Sequence, residues 1–216
     1  MEDFSLNEGF IWFDGELVDW KETKIHVLTH GLHYASSVFE GERCYEGNVF
    51  RELEHTKRLH HSANTLGFEI PYSIEEICEI RKIVLDANNI KNGYVRPVAW
   101  RGSEMMGISA QKNKIHLAVA AWEWPSYYTP EARLKGIKLQ LAKWKRPSPE
   151  TAPVSTKSAG LYMICTLAKH EAERNGCEDA LMLDYRGYIA ETTSANIFLV
   201  INGEIHTPIA DCFLNG

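Results

Sequence analysis

Apolar and polar positions alternate through the first stretch, GFIWFDGELVDW, on both sides of Asp14-Gly15, which predicts a β-hairpin closed by a two-residue turn. FEGERCYEGNVFREL repeats the pattern around Glu46-Gly47-Asn48. The period then lengthens: Leu53, Thr56, Leu59 and Leu66 recur at roughly helical spacing, and Gly67 supplies a C-terminal stop. Ser73 and Glu76 form an S-x-x-E capping box ahead of a second helix with Ile77, Ile80, Val84 and Leu85 on one face and an expected end at Gly93.

Two strand-like runs follow, YVRPVAW (94–100) and KIHLAVAAWEW (114–124). Pro97 has no amide donor, so the first run is expected at a sheet edge or a bulge. EWPSYYTPEARLKG has two prolines, no period and a cluster of Trp122, Trp124, Tyr127 and Tyr128; it reads as an interdomain connection with a helical turn opened by Thr129 and Pro130. Beyond it come a strand in GIKLQLAKWKR, a helix with Leu161, Ile164, Cys165, Ala168 and Ala172 on one face and a stop at Gly176, and two hairpins, the second turning at Asn202-Gly203. The order predicts an α+β fold in two parts: a small N-terminal domain (1–122), a connection (123–133) and a larger C-terminal domain (134–216).

Composition narrows the function classes. The 216 residues are 44% hydrophobic, enough for a substantial core, and the net charge of -6 gives no basic excess toward nucleic acid or an anionic membrane. Five cysteines without a C-x-x-C pair fit reduced thiols. MEDFSLNEGF lacks the apolar core of a secretory signal, and the apolar runs are shorter than a membrane span, so the cytoplasm is the expected compartment. Dinucleotide, P-loop and G-x-S-x-G motifs are absent, and the pairs His30/His33 and His60/His61 lack completing ligands at zinc-like spacing, so no metal is expected.

Four residues carry candidate chemistry. Lys157 lies among Ser155, Thr156, Ser158, Ala159 and Gly160, small neighbours that let another group approach closely; it is either a solvated loop lysine or a Schiff-base lysine. Glu191 closes a hairpin strand 34 residues later (191 − 157), either as a strand-end carboxylate facing water or as a partner for a protonated ring nitrogen. Arg58, among His55, His60 and His61, either faces water or binds an anion. Arg96, in an apolar strand, requires an anionic partner if it is buried, a protein carboxylate or a ligand.

Five segments, HGLHYASSVFEGERCY, EHTKRLHHSANTL, NGYVRPVAWRG, STKSAGLYMICTLAKHEA and GYIAETTSANIFLV, resemble in order and spacing the branched-chain amino acid aminotransferases, from about Phe10 to Gly216. The resemblance implies a D-amino-acid-aminotransferase-like fold with a small N-terminal α/β domain and a larger pseudo-barrel domain, and pyridoxal 5′-phosphate as cofactor. It implies that Lys157 forms the Schiff base, Glu191 pairs with the pyridine nitrogen, Tyr162 contacts the phenolic oxygen and Arg58 binds the phosphate. On the substrate side it implies an apolar pocket of Phe39, Gly41, Trp124 and Tyr127, an α-carboxylate contact from Tyr94, and Arg96 on the distal carboxylate of glutamate. Tyr34 and Arg43 fall in the same motif, and in the family that tyrosine reaches across a dimer interface, so a homodimer or higher homo-oligomer is expected.

Leucine, isoleucine and valine with 2-oxoglutarate are the implied substrates. A D-amino-acid aminotransferase, an aminodeoxychorismate lyase and an inactive fragment are the alternatives. The family's pattern continues beyond Gly216, so the C-terminal domain is expected to be incomplete.

Overall fold

The Asp14-Gly15 pair takes positive φ at both positions (50° and 116°), the requirement of a hairpin turn matched to strand twist. It joins β1 (Phe10–Phe13) to β2 (Glu16–Asp19) in antiparallel register. In this computed structural model, residues 3–124 and 129–216 are described, the Ala132 side chain excepted; Tyr127 and Tyr128 lie outside the described residues. The chain divides into two compact units, residues 1–125 with 157–160 and residues 126–156 with 161–216.

In the first unit, α1 (His30–Tyr34), β3 (Ser37–Phe39), β4 (Glu42–Tyr45) and β5 (Asn48–Val49) precede the helices α2 (Glu52–Thr65) and α3 (Ile74–Ala87), followed by β6 (Gly93–Arg101) and β7 (Ile115–Trp122). The strands form an antiparallel sheet in the order β2-β1-β7-β6-β4-β5, with β3 also paired to β6. Alternation on β6 and β7 sends Val95, Ala99, Leu117 and Val119 into a core with Leu59 and Ala63 of α2 and Ile77 and Val84 of α3. Each fully buried aliphatic side chain of this kind contributes about 1.5–3 kcal/mol. The capping box forms as expected, with Ser73 Oγ accepting from the Glu76 amide and the Glu76 carboxylate accepting from the Ser73 amide.

Three expectations are corrected. Pro97 lies in a central strand, not at an edge or bulge. β3 and β4 approach β6 in one register (39↔98 and 42↔95) and break at residues 40–41, opposite Pro97. Pro97 still accepts the Glu40 amide through its carbonyl (2.9 Å) but cannot return a donor, so the ladder opens where the proline sits. Secondly, α3 ends at Ala87, not Gly93: Asn89 adopts positive φ (53°), a conformation asparagine tolerates, and Gly93 begins β6. Thirdly, Leu53 is exposed, and the buried face of α2 is Thr56, Leu59, Ser62 and Ala63.

The second unit contains α4 (Pro130–Lys135), β8 (Leu139–Leu141), α5 (Met163–Arg174), β9 (Asp179–Leu183), β10 (Ile189–Thr192), β11 (Leu199–Ile201) and β12 (Glu204–His206). β9 is central, parallel to β8 and antiparallel to β10. Ala168 and Ala172 of α5 pack on Ala180 of β9, small side chains that bring helix and sheet close. The Asn202-Gly203 hairpin forms with positive φ at both residues (53° and 84°). Among the described residues no helix is long and apolar enough to cross a membrane.

Candidate active site

Lys157 owes its position to its backbone. Its amide donates to Ser62 Oγ on α2 (3.0 Å), and its carbonyl accepts from the Phe39 amide (3.1 Å). Ser158 forms a bridge to Val38, so the lysine segment adds to the free edge of β3. Small residues permit this approach: Gly160 would bring a Cβ to 3.3 Å from Ala35. The Lys157 Nζ stands 5.2 Å from the centre of the Phe39 ring, and the Arg96 guanidinium carbon 4.7 Å from the same centre. Lys157 is half-buried.

Arg96, Val98 and Trp100 of β6 and Ala118 and Ala120 of β7 project from the sheet face opposite the helices. The alanines leave a cavity of about 480 Å³, walled by Phe13, Trp100 and Leu32. Arg96 donates through Nη2 to the Tyr94 hydroxyl (3.2 Å), while its buried Nε has no hydrogen-bond partner among the described residues. A buried donor left in that state costs about 1–3 kcal/mol, which an anionic ligand would recover. Tyr94 packs between Trp122 and Trp124, with ring centres at 5.2 and 5.8 Å. Gly41 makes room for it, since a Cβ there would overlap the Tyr94 hydroxyl and lie 2.8 Å from Cζ.

Arg43 donates to the Trp124 carbonyl (3.0 Å) and lies over Tyr45, so in this unit it fixes the end of β7. Tyr34 is 41% exposed and stacks on His30. The His30 ring nitrogens sit 2.6 Å from Ser36 Oγ and 2.8 Å from the Gly107 carbonyl. Arg58 makes a two-pronged pair with the fully buried Glu40: Nε donates to Oε1 and Nη2 to Oε2, each at 2.7 Å. His55 Nδ1 is 2.8 Å from the same Oε2. Burial works against ionisation of Glu40, but the bonds from Arg58 and His55 outweigh it and hold the carboxyl below its ordinary range.

In the second unit, Glu191 lies on β10, opposite Met182 at a register shift. Its Oε1 is 3.1 Å from Nε of the buried Arg146, so the carboxylate lies beside a cation. Arg146 is in turn anchored through Nη1 to the Leu161 carbonyl (3.2 Å) and Cys165 Sγ (3.3 Å). Tyr162 is the residue that leads into α5. Asp184, Asp211 and Cys212 are near enough to one another to share a cation, but Arg186 bonds both carboxylates and fills that electrostatic role.

The first unit thus assembles Lys157, Phe39, Arg96, Tyr94 and Gly41 around one sheet face, while Tyr127 lies outside the described residues. Sequence reasoning missed Glu40, His55 and Arg146. The spacing of His55 and Arg58, three residues apart on one helix face, carried a signal for a shared anion.

The amino-transferase class IV family matches residues 37–216. A probable branched-chain-amino-acid aminotransferase of Rickettsia felis is 47% identical over 206 residues, covering 95% of this chain and 70% of the relative. Two crystal structures of branched-chain amino acid aminotransferases are similar. The Escherichia coli enzyme has a TM-score of 0.92 at 38% identity, covering 97% of this chain and 71% of that one. The Thermobaculum terrenum enzyme, in its PLP-bound holo-form, has a TM-score of 0.83 at 25% identity, covering 96% and 69%.

Proposed function

Because the chain belongs to the class IV aminotransferase family, we propose that it is a pyridoxal 5′-phosphate-dependent branched-chain-amino-acid aminotransferase, transferring amino groups from leucine, isoleucine and valine to 2-oxoglutarate. The observation that carries this reading is Lys157, half-buried and anchored at both its amide and its carbonyl in a chain so similar to enzymes of that name. The comparisons do not favour a D-amino-acid aminotransferase or an aminodeoxychorismate lyase. A cytoplasmic homodimer or higher homo-oligomer belongs to the same reading.

Each unit offers donors that suit the cofactor: in the first, an amine for its aldehyde and an arginine oriented by Glu40 for its phosphate; in the second, a carboxylate for its ring nitrogen. When bound, the cofactor supplies an electron sink for the bonding pair released at the substrate Cα. Lys157 would hold the cofactor through its side-chain amine, and that amine would carry the proton at the substrate Cα. Glu191, beside Arg146, would pair with the ring nitrogen and favour its protonated form. Arg58 would hold the phosphate, and Tyr162 would contact the phenolic oxygen.

For substrate, Phe39, Gly41 and Trp124 would supply the apolar walls, to which the family resemblance adds Tyr127, and Tyr94 would contact the α-carboxylate. Arg96, with its unsatisfied Nε, receives the distal carboxylate of 2-oxoglutarate. Tyr34 and Arg43 belong to the same substrate-binding set, with Tyr34 reaching across a dimer interface. This division lets one pocket accept both an alkyl and a carboxylate side chain in alternate half-reactions.

The test is a visible absorption spectrum of the purified chain with added pyridoxal phosphate, beside Lys157→Ala. A cofactor band present in the parent, absent in the variant and bleached by leucine is expected. An unchanged band in Lys157→Ala overturns the assignment.

A further inference from the structure

The break in the sheet opposite Pro97 places two carboxylates, Glu40 and Glu42, on the helix side of β3 and β4. Both are fully buried and each grips an arginine through two hydrogen bonds, Glu40 to Arg58 and Glu42 to Arg81. The pairs differ in exposure. The Arg81 side chain is 0% exposed, closed off beside Thr56 and Cys78, whereas that of Arg58 retains 21% exposure.

A buried charge costs several kcal/mol unless it is paired, so Glu42 and Arg81 each account for the other. Glu40 has three bonds converging on it, two from Arg58 and one shared with His55 Nδ1, and its partner reaches solvent. Such an arrangement fixes the plane of a guanidinium whose working surface lies elsewhere. The flanking residues, Phe39 and Gly41, are the ones that pack against Lys157, Arg96 and Tyr94.

We propose that Glu40, with His55 on its second oxygen, is a positioning residue that sets the orientation of Arg58 for a phosphate monoester. The proposal rests on the reading of Arg58 as the phosphate ligand. Glu40 touches neither the cofactor nor the substrate. It commits the Nε–Nη2 edge of Arg58 to a fixed plane, so that the arginine meets the phosphate without first giving up side-chain freedom, the usual cost of an arginine contact. Glu40→Gln would set an amide N–H against that edge and let the guanidinium swing.

The experiment compares equilibrium dissociation constants for pyridoxal 5′-phosphate and for pyridoxal, which lacks the phosphate, by quenching of tryptophan fluorescence. Parent, Glu40→Gln, His55→Ala and Arg58→Ala are measured, with melting curves for each. Glu40→Gln is expected to weaken pyridoxal phosphate by about tenfold, the equivalent of one charged hydrogen bond, and to leave pyridoxal within about twofold. His55→Ala, at a partly exposed position, is expected to weaken pyridoxal phosphate alone by about threefold and serves as the test if Glu40→Gln does not fold.

Equal weakening of both ligands, or none, overturns the positioning role and leaves Glu40 a structural ion-pair partner. Arg58→Ala separates the two levels. If it abolishes the preference for the phosphorylated ligand while Glu40→Gln and His55→Ala preserve it, the proposal fails and the phosphate reading stands. If Arg58→Ala itself keeps the preference, both fall.

Discussion

Gly41→Ala tests whether the substrate-side packing is as tight as the geometry requires. The added Cβ would overlap the Tyr94 hydroxyl and stand 2.8 Å from Cζ, a distance that real Cβ contacts avoid. Tyr94 has little room to retreat, because Trp122 and Trp124 pack on it at 5.2 and 5.8 Å. Overpacking of this kind costs about 1–3 kcal/mol. Gly41 does not have positive φ, so alanine also gains about 0.4–1 kcal/mol through the less flexible unfolded chain.

The net loss is then about 1–2 kcal/mol, a fall in melting temperature of roughly 2–8 °C for a chain of this size. Thermal and urea unfolding of the parent, Gly41→Ala, Tyr94→Phe and the double variant complete a cycle. Removing the hydroxyl relieves the overlap while leaving the ring carbon close, so the double variant is expected to recover part of the loss, with a coupling of about 1 kcal/mol. If the two single costs add to within about 0.3 kcal/mol, Gly41 and Tyr94 do not interact as described.

Arg96→Met keeps the stem of the side chain but removes the guanidinium proposed to receive the distal carboxylate. The KM for 2-oxoglutarate is expected to rise about tenfold, with that for leucine little changed; equal rises would show Arg96 to be a packing residue. Asp14 gives a pH prediction. Burial opposes its ionisation, yet the Leu117 amide, His116 and Lys114 hold its carboxyl below the ordinary value. Its folded pKa is therefore depressed, so its contribution is complete above about pH 4 and is lost as pH falls through the folded value. Asp14→Asn, which tolerates the same positive φ, is expected to flatten the slope of unfolding free energy below about pH 4. An unchanged slope would place the acid sensitivity elsewhere.

The parts of the fold legible in sequence are those fixed by neighbours. Asp14-Gly15 and Asn202-Gly203 dictate their turns through φ, and Ser73 with Glu76 closes its own helix end. Pro97 misleads because its missing donor is a local fact, whereas its tolerance depends on a break much earlier in the chain, at Glu40 and Gly41. The site behaves likewise. Lys157 and Glu191 stood out only through the order of five motifs; spacing alone left both open. Glu40 was invisible because a lone glutamate beside a glycine reads as a solvent-facing charge, and its burial depends on an arginine from the next helix.

The attachment of residues 157–160 to the edge of β3 also bears on how the chain comes together during synthesis. The Phe39 amide waits for a partner carbonyl that is translated more than a hundred residues later. Until then the first unit emerges from the ribosome with one strand edge open, a surface on which other chains can pair. Lys157, proposed as the cofactor lysine, is thus also the last stitch of the N-terminal sheet, and a fragment cut after residue 124 would carry that open edge permanently.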